Sequence, residues 1–159
     1  MSIFSCDKAD ITFDTQYSAT FNIDLQESTN GDGSASFTQT GQIDLNDGDA
    51  RDYLDRLKGI SITGVYIEVL SASAPLDATL SGLLSAESFQ MTIPQYNILQ
   101  LFSEAHKLDL TDDTGVLNYM QERLMSDKIV SYSLNVVVSE VPVTAEIKVT
   151  FKMKVTAMP

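Results

Sequence analysis

The chain of 159 residues contains one cysteine, one histidine, four prolines and no tryptophan, and its ten Lys and Arg are outnumbered by 22 Asp and Glu. A single cysteine, Cys6, excludes any disulfide within the chain. One Cys and one His far apart cannot complete a closed zinc shell, so no metal and no cofactor is expected. The lack of Trp, with only 8% aromatic residues, gives no hint of a stacking platform for sugars or bases. A net charge of −12 repels phosphate backbones and anionic headgroups, which argues against nucleic acid and against direct lipid-surface binding. No apolar run approaches the roughly 18 residues of a spanning helix, so a membrane is expected only through a lipid on Cys6 or through a partner.

What is present is a period of two. From Val143 to Ala157, Val143, Ala145, Ile147, Val149, Phe151, Met153, Val155 and Ala157 fall on one parity and polar residues on the other. That pattern predicts a long β-strand with one dry and one wet face. Charge is uneven along the chain: residues 1–58 and 59–127 each carry a net −7, and residues 128–159 a net +2. Lys148, Lys152 and Lys154 all lie on the wet parity of the final strand. They have two readings, protection of an edge or pairing across to an acidic neighbour. Asp10, Asp14 and Asp24, outward beside inward Ile11, Phe13, Phe21, Ile23 and Leu25, supply that neighbour, so the last strand is expected to lie beside an N-terminal one.

The remaining segments read in order. Two short strands are expected at 9–15 and 17–25, then an exposed turn-rich loop at 27–34, then a strand from Phe37 to Leu45. Asn46 to Asp49 predicts a helix start, Ala50, Tyr53, Leu54 and Leu57 its apolar stripe, and Gly59 its stop. Ile60 and Ile62 share one parity and Val65, Ile67 and Val69 the other, which predicts a β-bulge at Gly64. Strands are expected over Leu76–Leu84 and Phe89–Ile93, with Phe89, Met91 and Ile93 inward and Pro94 ending the run. A helical stripe of Ile98, Leu99, Phe102 and Ala105 follows, and then a helix capped by residues 111–113 with the face Val116, Met120 and Leu124. Ile129–Val138 is a strand, and Val141-Pro142 a hairpin corner before the final one. The expected fold is mainly β, an antiparallel two-sheet β-sandwich with two or three short flanking helices. Residues 1–8 form a tether and 9–159 a single domain.

No motif defines a reaction. His106, without a Gly-x-Ser-x-Gly elbow to hold a nucleophile, reads as a structural histidine. Asp44 to Asp49 and the cluster Asp109, Asp112 and Asp113 fail the calcium-loop spacing, since counting back from Gly48 puts Ile43 first. Helix capping explains both. Gly31 and Gly33 lie in an acidic loop unsuited to phosphate. No catalytic, cofactor-binding or metal residue is therefore assigned.

Ile3-Phe4-Ser5-Cys6 resembles a bacterial lipobox, in which the cysteine takes the lipid. Only Met1 and Ser2 precede it, whereas a lipobox follows an apolar run of about 7 to 15 residues. The expectation is an export signal upstream of Met1; with Met1 as the true start the protein is cytoplasmic and Cys6 a small apolar residue near a terminus. Together with Asp52-Tyr53-Leu54-Asp55-Arg56-Leu57-Lys58-Gly59-Ile60, Ser126-Asp127-Lys128, Val141-Pro142-Val143 and the ending Lys148 to Ala157, the chain resembles uncharacterised β-sandwich lipoproteins of the cell envelope of Bacteroidetes-type bacteria. The resemblance implies placement at the outer membrane or surface and no assigned activity. The first functional expectation is a non-enzymatic envelope module, lipid-anchored at Cys6, that binds a protein or glycan partner. The alternative is a structural subunit that self-assembles through its edge strands into a homo-oligomer, and the second alternative is a hydrolase built on carboxylates or His106.

Overall fold

A computed structural model describes residues 8–110 and 114–159. Eight strands form two four-stranded sheets, each antiparallel throughout. In chain order they are β1 (Ile11–Leu25), β2 (Ala35–Asp44), β3 (Leu57–Ser73), β4 (Thr79–Ala86), β5 (Phe89–Asn97), β6 (Leu108–Asp109), β7 (Ile129–Val138) and β8 (Val143–Ala157). A 3-10 helix, Asp49–Arg56, precedes β3, and α1 (Ile98–Ser103) and α2 (Thr114–Asp127) flank β6. The first sheet runs β1-β8-β3-β6 and the second β2-β7-β4-β5. The expected sandwich with short helices is what the chain forms.

β8 supplies the middle of the first sheet. Val143, Ala145, Ile147, Val149, Phe151, Met153, Val155 and Ala157 are all buried, and a large apolar side chain contributes about 1.5–3 kcal/mol on full burial. Phe151 meets Tyr132 of β7 at 4.9 Å between ring centroids, which locks the two sheets together. Tyr132 in turn lies against Phe21 at 6.4 Å, edge to face. Its ring occupies the space beside Gly41, where a Cβ would stand 2.5 Å from a ring carbon, so this position in β2 must lack a side chain. Desolvation pushes the Tyr132 phenol far above the ordinary tyrosine value.

β8 pairs along its whole length with β1, in an unshifted register from Ile11 opposite Ala157 to Leu25 opposite Val143. The expected neighbour is confirmed, and Asp14 stands directly opposite Lys154. Because β3 pairs with the other side of β8, β8 is an interior strand. Edge protection therefore does not account for its lysines. The predicted irregularity at Gly64 is a register shift between Ile62 and Gly64.

Several expectations are corrected. Residues 9–15 and 17–25 are not two strands but one, since Phe13, Thr15, Tyr17, Ala19 and Phe21 hold a single parity through Gln16. The segment after Asp44 is a 3-10 helix with Gly48 as its N-cap and no side-chain cap, and Gly59 lies inside β3 rather than ending a helix. Apolar spacings of three and four fit either helix type. β4 begins at Thr79, not Leu76. Pro94 does not end β5, which continues to Asn97; β5 is an edge strand and can spare an N–H. Phe89 is exposed, with 42% of its surface accessible. α1 starts only at Ile98, where the Asn97 side chain accepts the Gln100 N–H at 2.9 Å; it buries Ile98 and Leu101 while Phe102 faces out, and it ends at Ser103, before the exposed Ala105. Val141-Pro142, a cis peptide, is no hairpin corner: β7 and β8 belong to different sheets. Among the described residues, only β4 and β5 form a hairpin between consecutive strands.

α2 buries Val116, Met120 and Leu124 as its sequence predicts. It touches β3 of the first sheet and β4, β5 and β7 of the second, so it plugs the opening between the layers. The expected cap at residues 111–113 lies outside the described residues.

Candidate functional site

Alternation along the second sheet turns one parity into the core and the other outward. Register aligns the outward residues into rows. Thr40, Ser133, Ser85 and Gln90 form one, and Thr38, Asn135, Leu83 and Thr92 the next. Ser36, Val137 and Ser81 form a third. No charged side chain stands in any of them, although a fifth of the chain is charged. The Asn135 amide donates to the Thr38 hydroxyl at 3.0 Å, so this lattice is partly pre-ordered. The outer face of the first sheet is the opposite, with Asp14, Asp24, Glu68, Glu146, Lys148, Lys152 and Lys154 on it.

The first row ends in a groove of about 520 Å³, floored by Thr40, Ser85, Gln90, Ser131 and Ser133 and walled by Tyr119, Arg123 and Asp127 of α2. These three recur every fourth residue and so share a helix flank. The Arg123 Nε donates to the Tyr119 hydroxyl at 3.2 Å and its Nη1 to Asp127 at 3.0 Å, while the guanidinium carbon lies 5.7 Å from the Tyr119 ring centroid. The Phe89 ring packs against that ring at 5.5 Å between centroids. The Tyr119 hydroxyl, and after it the Asp127 and Glu87 carboxylates, raise the arginine pKa further. Arg123 is thus a fixed planar donor whose charge is balanced locally, and it retains N–H groups for a ligand.

Glu87, on the groove rim, occupies the β4–β5 turn at φ 54°. Glycine is the usual residue at a positive φ in a two-residue hairpin turn.

The residues singled out in the sequence do not gather here. Cys6 lies outside the described residues, as do Asp112 and Asp113. His106 is exposed and its ring stacks on Tyr96 at 5.3 Å and 22°. The Asp44 carboxylate accepts the backbone and side-chain N–H groups of Asn46, at 2.9 and 2.8 Å, and Asp49 accepts the Thr15 hydroxyl at 3.4 Å; the first acidic cluster thus shapes a turn before the 3-10 helix rather than capping it. Among the described residues no three of His, Cys, Asp and Glu come together as could hold a metal ion, and no helix is long and apolar enough to cross a membrane. Lys152 lies 5.2 Å from the Tyr66 ring centroid, away from the groove. Sequence reading misses Arg123, Tyr119 and the hydroxyl rows, although the i, i+4, i+8 spacing of 119, 123 and 127 and the Ser and Thr content of four strands are visible in it.

No protein-family model matches the chain, and no curated protein matches it either. Among solved structures it is similar to the 60-mer BFDV capsid protein, at 8% identity, with 96% of both chains covered and a TM-score of 0.34. A likeness of that size carries no argument about what this chain does.

Proposed function

We propose that this protein is a non-enzymatic binding module of the cell envelope, held by a lipid on Cys6, and that the outer face of its second sheet takes a neutral glycan. One observation carries the reading: three rows of hydroxyl, amide and apolar groups, two across all four strands and one across three, run without a charge in a chain that is a fifth charged. A neutral sugar offers hydroxyls and C–H faces. It is matched by fixed donors and acceptors interspersed with Leu83 and Val137, and binding it desolvates no uncompensated ion. The groove at the end of the first row adds a planar donor, Arg123, against an aromatic wall, Tyr119, in a volume within the range of small-ligand sites. The stacking of His106 on Tyr96 supports a structural histidine over a catalytic one. A lipid on Cys6, five residues before β1 begins at Ile11, would hold the sandwich close to its membrane.

Calorimetric titration with a panel of neutral oligosaccharides, each paired with its uronic-acid counterpart, tests this. The neutral members should bind and the acidic ones should bind more weakly. Ser133→Asp, which puts a carboxylate between Thr40 and Ser85, should lower the affinity about tenfold or more. The absence of binding by any neutral glycan would remove the proposal.

A further inference from the structure

Among the described residues the sandwich has four edge strands, and two of them are blunted. β6 is two residues long; β5 carries Pro94 and pairs with β4 across a register break. β2 is regular but shorter, ten residues with Gly41 among them. β1 is the longest of the four. It runs 15 residues without Gly, Pro or bulge, in unbroken register with β8 on one side. Among the described residues no backbone hydrogen bond reaches its other side, so every second residue presents an unpaired N–H and C=O. Its inward residues from Ile11 to Ala19 are only half-buried. A long, regular open edge of this kind is a template for a further strand.

We propose that the strand added there is β1 of a second copy of this chain, antiparallel and in register about Ser18. This goes beyond the glycan reading and stands on a different face of the molecule. Ser18 is the midpoint of Ile11–Leu25, so residue i faces residue 36 − i and all 15 positions find a partner. Ile11 then meets Leu25 of the second copy, Phe13 meets Ile23, Thr15 meets Phe21 and Tyr17 meets Ala19, all on the inward parity. On the outward parity Asp14 meets Asn22, Asp24 meets Thr12, and Gln16 meets Thr20. No acid stands directly opposite an acid, although the strand carries two, and like charges in that position are destabilising. The edge is therefore complementary to itself, as a twofold contact requires. The twofold axis stands perpendicular to the first sheet, so the second sheets of both copies face the same way. Any ligand face on them is thereby doubled on one side of the dimer, where a multivalent ligand gains avidity.

Light scattering on the chromatographed protein should show a dimer, and Ser18→Asp, which sets two carboxylates against each other at the axis, should weaken dimerisation about tenfold with the far-UV spectrum unchanged. A second pair of variants fixes the register. In a Cys6→Ser background, Ser18→Cys should cross-link under mild oxidation, because directly opposed residues in an antiparallel pair have Cα atoms about 4.5–5.5 Å apart, within disulfide reach. Thr12→Cys, facing Asp24 of the second copy, should not. A monomer at all concentrations with no Ser18→Cys cross-link, a dimer indifferent to Ser18→Asp, or equal cross-linking of both cysteine variants would overturn the proposal. Glycan binding by a monomer would leave the binding module standing and this inference refuted.

Discussion

The side-chain carbonyl of Gln121 accepts the backbone N–H of Ile62 at 2.7 Å. Ile62 lies where β3 breaks register with β8, and the two-residue β6 pairs with Tyr66 and Ile67, so among the described residues no strand reaches this part of the β3 edge. A helix side chain takes up the Ile62 N–H and pins α2 across the end of the sandwich.

Gln121→Ala strands that part-buried donor and should destabilise the fold by about 1–2 kcal/mol, read as a lower urea midpoint at unchanged slope. Gln121→Glu keeps an acceptor oxygen and should lose less. Equal midpoints for wild type and the alanine variant would show that solvent already satisfies Ile62.

Glu87 should behave in the opposite sense. Its positive φ of 54° is unfavourable for a residue with a Cβ, so Glu87→Gly is expected to stabilise the protein by about 1 kcal/mol. The same change removes a carboxylate from the groove rim. A higher melting temperature with altered ligand affinity would show strain retained for function, as stability and activity commonly trade against each other; a lower melting temperature would contradict the strain.

Alkaline pH should weaken the fold through Tyr17. Burial, then the carboxylates of Asp49, Asp44 and Asp47, push its phenol up to about 12 from 10.0. Between those values the unfolded chain has released the proton and the native state still holds it, so stability falls as pH rises. The contribution is fully present below pH 10. Tyr17→Phe should flatten the decline between pH 10 and 12 in denaturant titrations, leaving the part due to Tyr132. An unchanged slope would place the proton elsewhere.

Gly82→Ala should be severe. A Cβ at this position would meet the Asn135 carbonyl oxygen at 1.9 Å, and that carbonyl belongs to β7, the strand at the centre of the hydroxyl rows. Relief requires β4 to part from β7, at about 3 kcal/mol or more. A variant that melts within a degree or two of wild type would mean that the strands are further apart than the structure has them.

Strands buried on one face announce themselves, which is why β7 and β8 begin and end where their alternation does. β1 reads as two pieces because Thr15 places a polar residue on the inward parity, and only pairing with β8 shows it to be continuous. Phe89 belongs to the inward parity of its strand, yet as the first residue of β5 it stays exposed, with its ring against Tyr119 of α2. Residues three and four apart give no means of separating a 3-10 from an α-helix around Tyr53. The groove is less legible still. Thr40, Ser85, Gln90 and Ser133 are unremarkable wet-face residues of separate strands, and only the sheet order makes them one row. Arg123 reads as an ordinary helix i, i+4 pair with Asp127 until Tyr119 and Phe89 are seen to hold it.

The most direct test of the recognition face is residue-by-residue mapping of backbone amide shifts while a neutral oligosaccharide is titrated into the labelled protein. The account predicts saturable changes gathered on Thr40, Ser85, Gln90, Tyr119, Arg123, Ser131 and Ser133, with the lysine-bearing face of the first sheet silent. Changes confined to Lys148, Lys152 and Lys154 and their neighbours, or none at any ligand concentration, would contradict it.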